Sequence, residues 1–110
     1  MRLPNGSRAI ASDEKLYGYP VNVDHPTSSG HAELFARLLG IDRSNAESLR
    51  TALLTAAANA EATPGTLSPH GDKYEVRFDM TGTRRSYTIL SVWIIEHGSE
   101  IHRLVTAFVE

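Results

Sequence analysis

The chain contains no cysteine among its 110 residues. This absence excludes disulfide bonds, thiol nucleophiles and thiolate zinc sites, and it fits a reducing compartment. No apolar run approaches the roughly 20 residues that a membrane-spanning helix needs, so we expect no association with a membrane. The opening segment MRLPNGSRAIAS lacks the apolar core of a signal peptide, and we therefore expect a cytoplasmic protein.

The chain also lacks an excess of positive charge. Its formal net charge is -2, whereas a dedicated nucleic-acid-binding protein usually carries a basic stripe. Any contact with nucleic acid should therefore be local and made by a few arginine and lysine side chains. Of the motifs that hold metal ions, neither HxH nor HExxH occurs, so we predict no metal site and no other cofactor.

Helical spacing of apolar residues predicts helices in the first half of the chain. We expect a short helical turn with Ser12 or Asp13 as its N-cap, followed by a helix over 29–39. A further helix is predicted to start at Ser44, where the sequence SNAE matches the capping box. The proline and glycine that follow this helix predict a loop up to Asp72.

From residue 73 the apolar period changes from that of a helix to that of a strand. Strands are predicted over 73–80, 86–95 and 103–109, and the second, apolar on both faces near its end, is expected to be central. Helices followed by strands indicate an α+β fold, with two or three N-terminal helices packed on a three- or four-stranded antiparallel sheet. The length predicts a single domain over 1–110.

The first candidate for chemistry is the segment that leads into the helix over 29–39. Ser29 and Gly30 open this helix, whose free backbone N–H groups suit a phosphate. His25 and His31 flank this point, and a histidine can act as a general acid or base near neutral pH. The alternative is structural, with His25 ordering the loop and His31 only a residue of the first helical turn.

Two further groups lie among the predicted strands. Arg84 and Arg85, in the first hairpin, can bind a phosphate and stabilise its developing charge, or they can simply keep the turn soluble. His102, Arg103 and Thr106 lie on the final strand. Strict alternation places His102 and Thr106 on one face and Arg103 on the other, unless a bulge near Ile101 intervenes. The alternative is an edge strand whose polar side chains guard against aggregation.

The chain resembles a bacterial domain family of uncharacterised function over nearly its whole length. Four segments carry the resemblance. The first runs from Leu3-Pro4-Asn5 through Lys15-Leu16 to Asn22-x-x-His25-Pro26, and the second is Gly30-His31-Ala32. The third comprises Gly71-x-Lys73-Tyr74-x-Val76, Thr81-Gly82 and Val92-Trp93-Ile94, and the fourth is Arg103-Leu104-Val105-Thr106-Ala107. The chain departs from the expected pattern at His31, in place of lysine, and at Phe108-Val109, in place of Tyr-Pro.

Domains of this kind are found alone or at the C-termini of polymorphic toxins, and they are similar to the barnase–EndoU–colicin–RelE-like ribonuclease toxins. The resemblance implies a metal-independent ribonuclease that acts by 2′-hydroxyl attack on phosphorus. It implies His25, Arg103 and Thr106 as site positions. We expect His25 or His31 as the base and His102 as the acid. Arg103, with Arg84 or Arg85, is expected to stabilise the charge on the phosphate. The expected partners are an RNA substrate and a cognate antitoxin or immunity protein. The alternatives are a non-enzymatic interaction domain, favoured by the low net charge, and a small-ligand-binding protein.

Overall fold

The computed structural model describes residues 1–26, 29–82 and 84–110, with the backbone alone at 66–68. A short 3-10 helix at Gly6–Arg8 precedes three α-helices and a four-stranded antiparallel sheet of order β1-β2-β3-β4. The predicted α+β class is therefore confirmed. The elements are α1 (Asp13–Gly18), α2 (Ser29–Leu39), α3 (Ala46–Asn59), β1 (Ala62–Ser68), β2 (Gly71–Thr81), β3 (Ser86–Glu96) and β4 (His102–Val109).

The first two helices begin where the sequence predicts, and α2 also ends there. The Ser12 hydroxyl oxygen accepts a hydrogen bond from the backbone N–H of Lys15 at 3.2 Å, which caps α1. Helix α2 has the predicted bounds, and Gly40 follows it with a φ of 67°, a left-handed conformation that favours glycine.

The predicted capping box of α3 is wrong. Helix α3 begins at Ala46, and its N-cap Asn45 makes no side-chain cap bond. The Asp42 carboxylate accepts hydrogen bonds from both the N–H and the hydroxyl of Ser44, so this hydroxyl is already engaged outside the helix. The Asn45 side chain instead stabilises the preceding loop. Its oxygen accepts a hydrogen bond from the Asp42 N–H, and its amide nitrogen donates one to the Gly40 carbonyl, both at 2.8 Å.

The segment that was predicted to be a loop before Asp72 forms strand β1. It pairs antiparallel with β2, and the register shifts between Pro64 and Leu67. Proline and glycine are depleted in strands, which explains why Pro64 and Gly65 suggest a loop. At the edge of a sheet, however, a proline is tolerated because its missing N–H need not face a neighbouring strand.

The core lies between the helices and one face of the sheet. β3 pairs with both β2 and β4, so its predicted central place is confirmed. Inside the core, the Trp93 indole N–H donates to the Ser91 hydroxyl oxygen at 2.9 Å, and the Ser91 hydroxyl donates to the Val76 carbonyl at 2.8 Å. These bonds satisfy two buried polar groups that would otherwise be costly. The largest enclosed apolar side chains are Leu16, Phe35, Leu49, Leu53, Ile89, Trp93 and Leu104.

Strand β4 contains a bulge at Val105. Trp93 of β3 pairs with Leu104, and the preceding Val92 pairs with Thr106, so Val105 has no partner. One extra residue reverses the alternation of side chains along the remainder of the strand. The bulge thus lies at Val105 and not near Ile101, the position considered from the sequence.

The bulge decides which polar residues of β4 share a face. Paired residues of neighbouring strands lie on the same face of a sheet. Arg103 pairs with Ile94, and Thr106 pairs with Val92, so Arg103 and Thr106 lie together on the face away from the core. His102 lies on the core face with Leu104, and the expectation that it shares a face with Thr106 is wrong.

Candidate active site

A cavity of about 330 Å³ opens between β4, α1 and the start of α2. We call it the histidine cavity. Three parts of the chain build it: α1 with the residue after it, the loop that leads into α2 together with the first turn of α2, and β4 from the bulge onward. Its lining residues are Lys15, Tyr19, His25, His31, Val105, Thr106 and Phe108.

Aromatic and cationic contacts hold the two histidines in the histidine cavity. The His25 ring lies 5.0 Å from the ring of Tyr19, centroid to centroid, and the His31 ring lies 4.8 Å from that of Phe108. The Lys15 ammonium lies 4.9 Å above the Tyr19 ring, a cation–π contact. Both histidines are therefore held by ring contacts that leave their imidazoles at the surface of the cavity.

The loop that carries His25 is ordered by Asn22. The Asn22 side-chain amide donates to the Gly18 carbonyl at 3.2 Å, and its oxygen accepts from the Asp24 N–H at 3.0 Å. The Asn22 carbonyl accepts from the His25 N–H at 3.3 Å. These bonds form a local turn of the kind that asparagine favours, and they fix where His25 leaves the loop.

The charge that lines the histidine cavity is of positive sign only, among the residues described. Its lining includes the ammonium of Lys15 and the imidazoles of His25 and His31. No carboxylate is among its lining residues in the part of the chain described. Histidine side chains can exchange protons in the neutral pH range, and the lysine ammonium is a fixed positive charge. Such a lining suits an anion that undergoes proton transfer, for example a phosphodiester.

A second cavity, of about 440 Å³, adjoins the first along β4. We call it the arginine cavity. It shares Lys15 and Val105 with the histidine cavity, and its charged lining combines three cations with two carboxylates. The remaining lining residues are Ile10, Ser12, Glu14, Lys73, Ile94, Glu96, Arg103 and Leu104.

The wall of the arginine cavity depends on a short pairing between the N-terminal segment and β4. The Ile10 N–H donates to the His102 carbonyl at 2.9 Å, and the Leu104 N–H donates to the Ile10 carbonyl at 2.8 Å. In the part of the chain described, residues 8–12 form this single parallel bridge and no strand. It places the Ile10 side chain beside Arg103 at the rim.

The model of one protein family, described as a domain of unknown function (DUF6883), matches residues 2–110. The chain belongs to this family. The match confirms the predicted membership in a domain family of uncharacterised function, while the link to ribonuclease toxins stays a prediction. No curated protein and no solved structure matches the chain.

In this member of the DUF6883 family, some predicted site residues line the histidine cavity, Arg103 lines the arginine cavity, and the others line neither. His25, His31 and Thr106 come together in the histidine cavity, although the loop and the strand are far apart in sequence. Arg103 lies in the adjoining arginine cavity, with 65% of its side chain exposed. Its guanidinium lies 3.9 Å from the Glu96 carboxylate, a loose ion pair at the surface.

His102 belongs to the core and not to either cavity. Its side chain is fully enclosed, and neither ring nitrogen has a hydrogen-bond partner within the described chain. The ring stands edge-on to Tyr74, with the centroids 5.3 Å apart. Burial lowers the pKa of His102 because the protonated ring would lose its hydration. A neutral, enclosed imidazole cannot reach a leaving group at the surface.

The remaining predicted residues line neither cavity. Arg84 and Arg85 are exposed in the β2–β3 hairpin, where the Arg85 guanidinium lies 5.0 Å above the Tyr87 ring. Ser29 and Gly30 open α2 just before His31. An added Cβ at Gly30 would meet nothing within 4 Å, so no close backbone approach requires glycine there.

Four lining residues of the histidine cavity were not among the predicted site residues: Lys15, Tyr19, Val105 and Phe108. Lys15 and Tyr19 lie on and just after α1, and their sequence signals are those of an ordinary short helix. Phe108 belongs to an apolar strand pattern, which favours a place in the core. The bulge turns Phe108 to the opposite face, a change that strand alternation cannot show.

The described residues hold neither a cluster of metal ligands nor a helix that could span a membrane. Among residues 1–26, 29–82 and 84–110, no cluster of three or more histidine, cysteine, aspartate or glutamate side chains is placed to hold a metal ion. Within the same residues, none of the helices has the length and apolar character needed to cross a bilayer.

Proposed function

We propose that the protein is a small bacterial toxin that cleaves RNA in the cytoplasm as a metal-independent endoribonuclease. One observation carries the proposal: His25, His31, Lys15 and Thr106 line a single cavity. Cleavage of a phosphodiester by a neighbouring hydroxyl needs a base, an acid and a positive charge, and these residue types supply all three.

In the proposed reaction, one cavity histidine in its neutral form accepts the proton of a ribose 2′-hydroxyl. The 2′-oxygen forms a bond to the adjacent phosphorus, and the bond from phosphorus to the 5′-oxygen of the next nucleotide breaks. The other histidine, in its protonated form, donates a proton to that 5′-oxygen. The products are a 2′,3′-cyclic phosphate and a 5′-hydroxyl, so the atoms and protons balance.

Lys15 and Thr106 hold the phosphate during this reaction. The Lys15 ammonium stabilises the negative charge that builds up on the non-bridging oxygens, and the Thr106 hydroxyl donates a hydrogen bond to one of them. Lys15 thereby takes the role that the sequence suggested for Arg103, Arg84 and Arg85, because Lys15 lines the histidine cavity and the arginines do not.

The test is cleavage of a fluorescent RNA oligonucleotide by purified protein in the presence of EDTA. We expect His25→Ala and His31→Ala each to lower kcat/KM by about 100-fold or more, the usual loss on removing a general acid or base. His97→Ala is the matched control, since His97 lies in the turn before β4 and lines neither cavity. It should cleave like the wild type.

A substrate with a single 2′-deoxy nucleotide at the cleavage position separates this chemistry from hydrolysis by water. The proposed reaction uses the 2′-hydroxyl as nucleophile, so the substituted substrate should stay intact. RNA left whole by wild-type protein at high concentration, with or without divalent ions, would disprove the ribonuclease.

The second candidate function is a non-enzymatic interaction domain, such as an immunity or accessory protein. The net charge of -2 favours it, because a protein that acts on RNA usually gains affinity and association rate from a basic surface. On this alternative, the histidine cavity is a feature of a protein-binding surface, and His25→Ala changes the affinity for a partner without any effect on RNA.

A further inference from the structure

We propose that the arginine cavity is a second subsite, which holds a nucleotide next to the scissile phosphate of a single-stranded RNA. The inference rests on the proposed ribonuclease activity and names its substrate class. It would give the enzyme a binding path along β4, from Lys73 and Arg103 at one end to His31 at the other.

The two cavities form one continuous path. Lys15 and Val105 belong to both linings, so a ligand bound in one cavity contacts residues of the other. Their volumes, about 440 and 330 Å³, are each in the range of a small-molecule site. The bulge at Val105 makes this continuity possible, because it turns Arg103 and Thr106 to the same face.

The lining of the arginine cavity combines the groups that a nucleotide needs. Lys15, Lys73 and Arg103 can contact phosphate oxygens, and Ile10 and Ile94 offer apolar surface to a base or sugar. The Glu14 and Glu96 carboxylates can accept hydrogen bonds from the exocyclic amino groups of bases.

Arg103 can turn to a phosphate at little cost. Its guanidinium lies 3.9 Å from the Glu96 carboxylate, beyond hydrogen-bond distance, and the two side chains are 65% and 56% exposed. Exposed ion pairs of this kind contribute little to stability. A phosphate oxygen between Lys73 and Arg103 would offer Arg103 a charge-assisted hydrogen bond in exchange.

The same lining favours a single strand over a duplex. The apolar surface of the arginine cavity is useful only to a base or sugar that can enter it, and the bases of a duplex are already paired and stacked. Proteins that bind single strands combine cations along the backbone with aromatic rings, and the histidine cavity supplies Tyr19 and Phe108.

The test compares two double variants that each remove two positive charges. Lys73→Gln with Arg103→Gln changes the arginine cavity. Arg8→Gln with Arg37→Gln is the matched control, because both arginines are exposed and line neither cavity. Binding is measured by fluorescence anisotropy with a 2′-O-methyl oligonucleotide, which cannot be cleaved, as a single strand and as a duplex.

We expect the cavity pair to bind the single strand about tenfold or more weakly than the control pair, as the loss of hydrogen bonds to charged groups implies. The slope of log affinity against log salt should fall by about 1.4, from two phosphate contacts at about 0.7 each on single strands. In cleavage assays, KM should rise with little change in kcat, because the lost contacts lie outside the reacting centre. Arg103→Gln alone should show about half of the change in slope.

Failure of the subsite and failure of the proposed ribonuclease give different experimental results. If the wild-type protein cleaves RNA but the cavity pair matches the control pair in binding and salt slope, the subsite is disproved and the ribonuclease stands. Duplex binding as tight as that of the single strand also overturns the inference. If the cavity pair loses affinity only for a cognate immunity protein, with RNA cleavage unchanged, the cavity belongs to a protein interface. If the wild-type protein neither binds nor cleaves RNA, the proposed function fails and the subsite fails with it.

Discussion

The sequence suggests a chemical role for His102, whereas the structure places it in the core. In the sequence it stands beside Arg103, as part of a cluster of polar residues that suggests chemistry. In the structure its ring is fully enclosed and lies edge-on to Tyr74. Strand alternation alone places His102 on a face but does not say whether that face is the core. Its burial makes His102 a determinant of stability.

We predict that His102 makes the protein sensitive to acid. Its pKa is lowered by burial in the folded protein, so the unfolded chain binds the proton more readily. The stability is fully present above the unfolded pKa of about 6.5 and is lost as the pH falls from there through the lower folded pKa. The loss is at most about 1.4 kcal/mol per pH unit for one proton.

Urea unfolding of the wild type and of His102→Met between pH 7.5 and 5 measures this effect. Methionine keeps the volume and cannot be protonated, so the free energy of unfolding of His102→Met should depend less on pH. His97→Gln, at an exposed position in the turn before β4, should keep the full dependence. An equal loss in the wild type and His102→Met would show that other groups cause the acid sensitivity.

At the scale of secondary structure, elements with a regular apolar period are predictable and local irregularities are not. Helix α2 and strands β2 and β3 follow such periods, and their predicted places agree with the structure. β1 contains Pro64, so its strand character depends on pairing with β2 and not on its own composition. The bulge lacks glycine, and Val105 sits within an apolar run that fits an unbroken strand equally well.

The candidate site was therefore predictable only in part. His25 and His31 were candidates because histidines carry protons, and the family resemblance implied His25 and Thr106. The structure brings all three together in the histidine cavity. Nothing in the sequence shows that α1 packs beside β4 and delivers Lys15 to the same cavity. Contacts between distant segments depend on how the whole chain packs, which a local pattern does not contain.

We predict that deletion of Val105 strongly destabilises the protein. Without the extra residue, β4 must return to strict alternation, which turns either Arg103 into the core or Ala107 and Val109 out of it. An unpaired buried charge costs about 3 to 5 kcal/mol, a large part of the stability of a domain of this size. Urea unfolding followed by circular dichroism should show a much lower midpoint or no folded state.

The control for this deletion is Val105→Ala, which keeps the residue count and the bulge. It removes only part of a half-buried side chain, so its cost should be about 1 kcal/mol or less. If the deletion is tolerated as well as Val105→Ala, the register of β4 is not determined by the bulge, and the shared face of Arg103 and Thr106 loses its structural basis.

At the scale of the whole molecule, the net charge conceals a local separation of charge. Several basic side chains elsewhere are paired with acids: Arg77 with Glu110 at 2.9 Å, and Arg50 with both Asp13 and Glu47. The lining of the histidine cavity has bases and no carboxylate among its described residues. A net charge of -2 is thus compatible with local binding of an anion, though with little long-range attraction for RNA.

A ribonuclease of this kind should stop the growth of a cell that makes it without its inhibitor. We predict that inducible expression of the wild-type chain, in a bacterium that lacks the neighbouring genes, arrests growth and degrades cellular RNA. His25→Ala should restore growth at the same protein level, because it removes an acid–base group from the histidine cavity. His97→Ala should remain as toxic as the wild type, which separates loss of chemistry from loss of any histidine. Healthy growth with abundant, folded wild-type protein would instead favour the interaction domain, for which RNA cleavage plays no part and a tightly bound partner protein is expected.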